Sequence, residues 1–433
     1  MRFSIFGLGY VGTVCAACLA ERGHFVIGVD KSGVKVEFIR SGRSPIIERE
    51  IDDLVKRSVE SGRLTATTDA LEAVASSDLS MICVGTPSRP NGALDLEAVE
   101  TVAAEIGRAI RSKRERHTVV VRSTVLPRTT RDVIIPRITR AAGGSKFSIA
   151  FNPEFLREGS AIADFNHPSR TVVGALNAET AERVMSLYHD LPGAKIVTTI
   201  EEAELAKYVD NAWHALKITF GNEVGVVAKA LGMDSHGVMN IFLQDRKLNI
   251  STAYLRPGFA FGGSCLPKDL RALSYLARNL DLSLPVLDHI LESNQRLIER
   301  GANWILAQSG RRVAFLGISF KAGTDDVRES PFVELVERLI GKGREVRIFD
   351  PNVKLAQLVG ANREYLMRVI PHIAELLVPT IADAAGWAET IVVTAADEAY
   401  KPGLANIRAD QVVLDFARYE FDQAHKKAQG FVW

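Results

Sequence analysis

Apolar positions fall into two rhythms along the first two hundred residues. Short continuous apolar runs occur at 3–6, 25–29, 79–84, 118–121, 148–151, 171–173 and 195–197. Between them lie stretches such as 94–110 and 178–191, in which apolar residues return every three to four positions. The first rhythm predicts strands buried on both faces, and the second predicts amphipathic helices. Their alternation predicts a parallel sheet covered by helices on both sides. From 201 to about 309 strand signals vanish and long helical runs appear, at 201–231 and 279–309. Alternation returns at 312, with strands expected at 313–317, 345–349, 391–394 and 411–414 and a helix at 331–341. The chain is therefore expected to be α/β, with doubly wound parallel-sheet domains at 1–200 and 310–433 joined by a helical region at 201–309.

Length and composition fit this division. A chain of 433 residues exceeds the size at which single cores stop growing. The formal net charge of +1 lacks the basic excess of a nucleic-acid or membrane-surface binder, so an anionic ligand must meet local positive groups. No apolar run approaches a membrane span, and the first residues lack the pattern of a secretory signal. Four cysteines, Cys15, Cys18, Cys83 and Cys265, give no disulfide framework, and a reducing cytoplasm is expected. No metal site is expected.

Directly after the first strand comes GLGYVG, with Gly7, Gly9 and Gly12, then an apolar helix and a second strand ending in Asp30. The three glycines serve a tight turn, close approach to a pyrophosphate and close helix–strand packing. The pattern predicts a Rossmann-like dinucleotide site, the alternative being a glycine turn in some other α/β fold. Asp30 would bond a ribose 2′-hydroxyl and repel a 2′-phosphate, which favours NAD over NADP. Thr86 and Thr124 follow strand ends and either line the cofactor cleft or serve as ordinary turn residues. The second α/β unit lacks the three-glycine pattern, so it is not expected to hold NAD in the same way. Cys15 and Cys18 form CAAC but sit on the apolar helix, where packing is the expected role.

RPGFAFGGSCLPKDLRAL stands apart from its surroundings. Cys265 follows a glycine-rich loop, precedes a helix start and lies near Lys268 and Asp269. Such a cysteine is either an activated nucleophile or an inert turn residue. On the 201–231 helix, Lys207, Asn211 and His214 share one face, with Asn222 two turns on. The apolar remainder predicts a mostly buried helix whose polar stripe meets a ligand or water. NPEFLREGSAI supplies Glu154, Arg157 and Glu158 beyond a strand end, and GISFKAGTDDVRESP supplies Lys321, Asp325, Asp326 and Arg328.

In order, GLGYVG, VGTP, RSTV, NPEFLRE, the Lys207–Asn211 helix, GFAFGGSCLPKD and FKAGTDDVRESP resemble the nucleotide-sugar (UDP-glucose/GDP-mannose) 6-dehydrogenase family from Met1 to about Asp350. The Cys265 segment and His214 are most similar to the GDP-mannose-type members. The resemblance implies oxidation of a sugar primary alcohol to carboxylate with two NAD, through a thiohemiacetal and a thioester on Cys265. It implies catalytic roles for Lys207, Asn211, Asp269 and Glu154. It implies NAD contacts at Tyr10, Val11, Asp30, Lys35, Thr86, Thr124, Lys268 and Arg328. It implies nucleotide-sugar contacts at Phe155, Leu156, Arg157, Glu158, His214, Asn222, Tyr254, Arg256, Phe259, Gly262 and Lys321, as well as at Lys207 and Asn211. Ala253 departs from the tyrosine of close GDP-mannose-type members. The family also implies a homodimer or larger assembly joined through the middle helices, with shared active sites. The nearest alternative is the same chemistry on UDP-glucose or a UDP-N-acetylhexosamine. More distant ones are a two-electron hydroxy-acid dehydrogenase and a non-enzymatic NAD sensor.

Overall fold

The computed structural model describes the chain except residues 92, 252–257, 264–265, 320–325, 355–359, 420–427 and 433. The chain forms two compact units, Met1–Ala215 and Leu216–Trp433.

The first unit is built on eight strands: β1 (Arg2–Phe6), β2 (Phe25–Val29), β3 (Leu64–Thr67), β4 (Leu79–Ile82), β5 (His117–Val121), β6 (Phe147–Phe151), β7 (Arg170–Ala175) and β8 (Ala194–Thr198). Their order is β3-β2-β1-β4-β5-β6-β7-β8. The strand order reverses beside β1, which opens the ligand crevice of a doubly wound sheet beyond the carboxyl ends of β1 and β4. Phe3 and Ile5 pack on one side with the Tyr10–Glu21 helix, whose Val14, Cys15, Ala16 and Leu19 are buried. Phe6 and Ile82 pack on the other side with Val99, Val102 and Ile106 of the Glu97–Ile110 helix.

One pair corrects the all-parallel expectation. β6 and β7 run antiparallel, with Ala150 opposite Ala175 and Phe151 opposite Gly174. The connection between them carries only the short Ala161–Asn166 helix, and an antiparallel return needs no crossover. The register matters for the site. Only the last residues of β6 pair with β7, so β7 continues beside the 152–155 turn, where the Asn152 side-chain amide donates to the Val172 carbonyl at 2.7 Å. β3 escapes the apolar pattern because its LTAT sequence is half polar and it lies at the sheet edge.

The second unit holds a parallel sheet of β9 (Arg312–Leu316), β10 (Glu345–Phe349), β11 (Thr390–Val393), β12 (Val412–Asp415) and β13 (Ala428–Gly430), in the order β10-β9-β11-β12-β13. Helices occupy Ser235–Gln244, Leu266–Asn279 and Pro285–Leu306. The helical run expected at 279–309 is thus corrected: one helix ends at Asn279 and the next starts at Pro285. Asp281 takes a left-handed φ of 53° in between, and proline suits a first helical turn. The carboxylate of Glu223 accepts from the Val286 and Leu287 amides at 2.9 and 3.0 Å and caps that second helix.

The Ile200–Ala230 helix is not mostly buried as its apolar content predicts. Leu205, Val209, Trp213, Leu216 and Ile218 are exposed, and so are Asn211 and His214. Among the described residues, no helix is long and apolar enough to cross a membrane.

Candidate active site

The glycine turn is shaped for a dinucleotide. Gly7 has φ +97° and its amide donates to the Val29 carbonyl at 2.7 Å. A Cβ on Gly12 would fall well inside van der Waals contact of the Gly7 carbonyl oxygen, so the helix closes tightly on the strand. Gly9 faces open space, with nothing within 4 Å of an added Cβ. It precedes the Tyr10–Glu21 helix, whose first turn has no side-chain cap. Free amides at a helix start and a bare glycine before them are what a pyrophosphate requires. Asp30 stands at the end of β2. Its Oδ2 accepts from the Leu8 amide at 2.8 Å and lies 3.5 Å from Lys35 Nζ, while Oδ1 accepts from the Ser32 amide at 2.9 Å. The Thr86 hydroxyl donates to the Thr124 carbonyl at 2.7 Å, which joins the ends of the β4 and β5 segments. The residues present fit NAD.

Tyr10 has a partner that the sequence pattern did not disclose. Its hydroxyl bonds Glu48, and the Gly159 amide donates to Glu48 Oε2 at 2.7 Å. Burial and the Glu48 carboxylate push the Tyr10 phenol up to about 12, so it stays a neutral donor. These bonds tie the glycine turn to the loop after β6. Cys15, Cys18 and Cys83 are buried free thiols.

Two substitutions separate fold from cofactor. Gly12→Ala is expected to lower stability by about 1–3 kcal/mol through overpacking. Gly9→Ala is expected to keep the wild-type Tm and weaken NAD binding at least about tenfold, because its methyl takes up ligand space. Thermal unfolding and NAD titration read the two; an unchanged Kd for Gly9→Ala contradicts the assignment. Replacing Asp30 with asparagine removes the charge that repels a 2′-phosphate. The NAD preference over NADP is expected to fall about tenfold or more, as expected from losing one charge-assisted contact. Unchanged preference removes Asp30 from the ribose role.

The second unit repeats the turn without the cradle. Gly317 has φ +98° and its amide donates to the Phe349 carbonyl at 2.8 Å, as Gly7 does to Val29. Asp350 corresponds to Asp30, but four backbone amides, of Ile318, Ser319, Asn352 and Val353, occupy its carboxylate. The Tyr400 hydroxyl lies 2.7 Å from where a Gly317 Cβ would sit, so side chains fill the turn.

The strongest cluster of polar groups in the first unit lies beyond β6 and on the Ile200–Ala230 helix. Lys207 Nζ meets Glu154 Oε1 at 2.9 Å, and both side chains are about nine-tenths buried. Glu154 Oε2 accepts from the Leu156 amide at 2.8 Å. Lys207 lines a pocket of about 400 Å³, together with Arg122, Asn152, Phe155, Leu156, Arg157, Arg170, Asn211 and His214. The Arg170 guanidinium lies 4.3 Å over the Phe155 ring and pairs with Asp210 at 2.6 Å. Arg157 makes a two-pronged pair with Asp164, at 2.7 and 3.0 Å. Asp164 and Arg122 were not singled out in the sequence. Glu158 is exposed and outside this lining.

In the second unit, the loop before Cys265 is pinned on both sides. Phe259 stacks on Phe332 at 5.0 Å and meets Phe416 and Phe431 edge-on. Asn294 bonds both the amide and the carbonyl of Phe261 at 2.9 Å. A Cβ on Gly262 would sit 2.7 Å from Pro331 Cδ. Lys268 and Asp269 pair at 2.5 Å and are exposed. Asn222 is exposed, and Arg328 pairs with Asp326 at 2.7 Å. Cys265, Tyr254, Arg256 and Lys321 lie outside the described residues. Among the described residues, no group of three or more His, Cys, Asp or Glu side chains is arranged to hold a metal.

A dinucleotide turn that favours NAD, followed by a buried lysine–carboxylate pair, defines a nicotinamide-dependent dehydrogenase. The chain belongs to the UDP-glucose/GDP-mannose dehydrogenase family: residues 1–192 match its NAD binding domain, 201–296 its central domain and 314–419 its UDP binding domain. It is an NAD-dependent nucleotide-sugar dehydrogenase. It is 49% identical over 436 residues to the GDP-mannose 6-dehydrogenase of Pseudomonas aeruginosa, with all of both chains covered. It is 39% identical over 362 residues to a UDP-glucose 6-dehydrogenase of Haloferax volcanii, covering 81% of this chain and 83% of that one. A crystal structure of a ternary complex of the Pseudomonas aeruginosa GDP-mannose dehydrogenase superposes with a TM-score of 0.96 over all of both chains.

Proposed function

We propose that this enzyme oxidises the 6-hydroxymethyl group of GDP-mannose to the carboxylate of GDP-mannuronate. The observation that carries the reading is the buried Lys207–Glu154 pair beside a pocket, in a chain matched end to end to GDP-mannose 6-dehydrogenase. NAD supplies the hydride acceptor for each of two oxidations.

In the first oxidation Lys207 and Asn211 orient the sugar hydroxyl, and Asp269 takes up its proton through water. The Cys265 thiolate then adds to the aldehyde carbon. Lys207 donates to the oxyanion that forms, the kind of fixed donor that accounts for a large part of many rate enhancements. Loss of the second hydride leaves a thioester on Cys265. Glu154 orients water for attack on it, and the carboxylate leaves as the thiolate returns. A covalent intermediate splits one hard oxidation into easier steps and retains the aldehyde.

The pyrophosphate of NAD is assigned to Gly7, Gly9, Tyr10, Val11 and Gly12 and its ribose to Asp30 and Lys35, with Thr86, Thr124, Lys268 and Arg328 as further contacts. Phe155, Leu156, Arg157, Glu158 and His214 are assigned to the sugar nucleotide together with Asn222, Tyr254, Arg256, Phe259, Gly262 and Lys321. The divisions 1–200, 201–309 and 310–433 serve as NAD-binding, connecting and nucleotide-sugar-binding domains. The exposed apolar face at Leu205, Val209, Trp213 and Leu216 supports a homodimer through the central helices, with active sites shared between chains. The cytoplasm, where sugar nucleotides are made, is the assigned compartment, and a uronic-acid polysaccharide such as alginate is the assigned end use.

A panel of GDP- and UDP-sugars tests the substrate. GDP-mannose is expected to give the highest kcat/KM; a UDP-sugar giving a higher value contradicts the reading.

A further inference from the structure

Arg122 is the first residue after β5 and is only 6% exposed. Its guanidinium donates twice to one residue: Nη1 reaches Asn152 Oδ1 at 2.5 Å and the Asn152 carbonyl at 3.4 Å. Asn152 makes three further hydrogen bonds. Its Oδ1 also accepts from the Tyr188 hydroxyl at 2.8 Å, its amide side chain donates to the Val172 carbonyl, and its backbone amide donates to the Val121 carbonyl at 2.9 Å. Arg122 thus locks the point where the chain leaves β6.

Two residues later that chain presents Glu154, whose carboxylate meets Lys207. Among the described residues, no carboxylate pairs with Arg122, and its Nε has no hydrogen-bond partner. Burial of a guanidinium without a carboxylate salt-bridge partner is costly, even with the neighbouring Cys15, Tyr188 and Cys83 groups favouring its charge, so a structural role alone is poorly served by an arginine here. An uncharged donor would bond Asn152 at lower cost. Arg122, Lys207 and Glu154 set two buried cations against one carboxylate; Arg122 and Lys207 line the pocket, and Glu154 pairs with Lys207. That excess favours an anion that forms beside Lys207.

We propose that Arg122 is a positioning residue for thioester hydrolysis: it clamps Asn152 so that Glu154 stays aimed at Lys207 and the attacking water. The inference rests on the roles assigned above to Cys265 and Glu154.

The test uses full-length Arg122→Met and Arg122→Lys beside Glu154→Gln, with GDP-mannose and NAD. Intact-protein mass spectrometry in the steady state reads the acyl adduct, and kcat and KM are measured alongside. Arg122→Met is expected to lose at least about tenfold in kcat with less than about a twofold change in KM for NAD. Most of that enzyme is expected to carry the adduct, as Glu154→Gln does. If Arg122→Met does not fold, Arg122→Lys decides, with a kcat loss of a few fold and detectable adduct. Wild-type kcat, or a lower kcat without adduct, overturns the proposal. Adduct in Glu154→Gln but in neither Arg122 variant overturns the role of Arg122 alone. Its absence from Glu154→Gln as well removes the assignment of Glu154 and the inference with it.

Discussion

Cys265→Ser is expected to bind NAD with wild-type affinity and to lose acid formation by at least about 10³-fold, as removal of a covalent nucleophile does. The expectation follows from the assigned chemistry. Without a thiolate, the aldehyde has no group to carry it through the second oxidation. Serine keeps the size and a hydroxyl but is a far weaker nucleophile near neutral pH. The loop that leads to the cysteine is held by Phe259, Asn294 and Gly262, so the substitution is not expected to disturb the fold. NAD titration and chromatography of the sugar product read the two halves. Full acid production by Cys265→Ser contradicts the thioester route.

Lys207→Ala has the next largest expected effect, and it acts on rate and stability together. Glu154 keeps its Leu156 amide bond but loses its buried ion partner. Removing one member of a buried pair costs about 3–5 kcal/mol, because an uncompensated charge remains. Loss of a donor to the oxyanion lowers kcat by about 10²–10³-fold. The double variant Lys207→Ala, Glu154→Ala is expected to recover much of the lost stability and none of the rate. Thermal unfolding and steady-state kinetics distinguish these effects. A kcat within about tenfold of wild type for Lys207→Ala sinks the oxyanion role.

Much of the geometry of the glycine turn was legible from residue types. Gly7, Gly9, Gly12 and Asp30 each answer a local steric or electrostatic demand, so their spacing after a strand was enough. The same holds for the amphipathic spacing that put Lys207 and Asn211 on one helical face. Long-range pairings were not legible. Nothing local joins Tyr10 to Glu48 or Arg122 to Asn152; the second contact exists because the sheet brings the ends of β5 and β6 together. The antiparallel return of β7 was hidden too, since a strand buried on both faces reads the same in either direction. The break before Pro285 was open to reading, because proline marks a helix start. The exposed face of the Ile200–Ala230 helix misled, because apolar content alone does not say that a face is covered within the chain.

The central claim is a four-electron oxidation at one carbon. Counting NADH formed per GDP-mannose consumed tests it most directly. Two NADH per sugar, with GDP-mannuronate as product and no free aldehyde, is the predicted result; one NADH per sugar contradicts it.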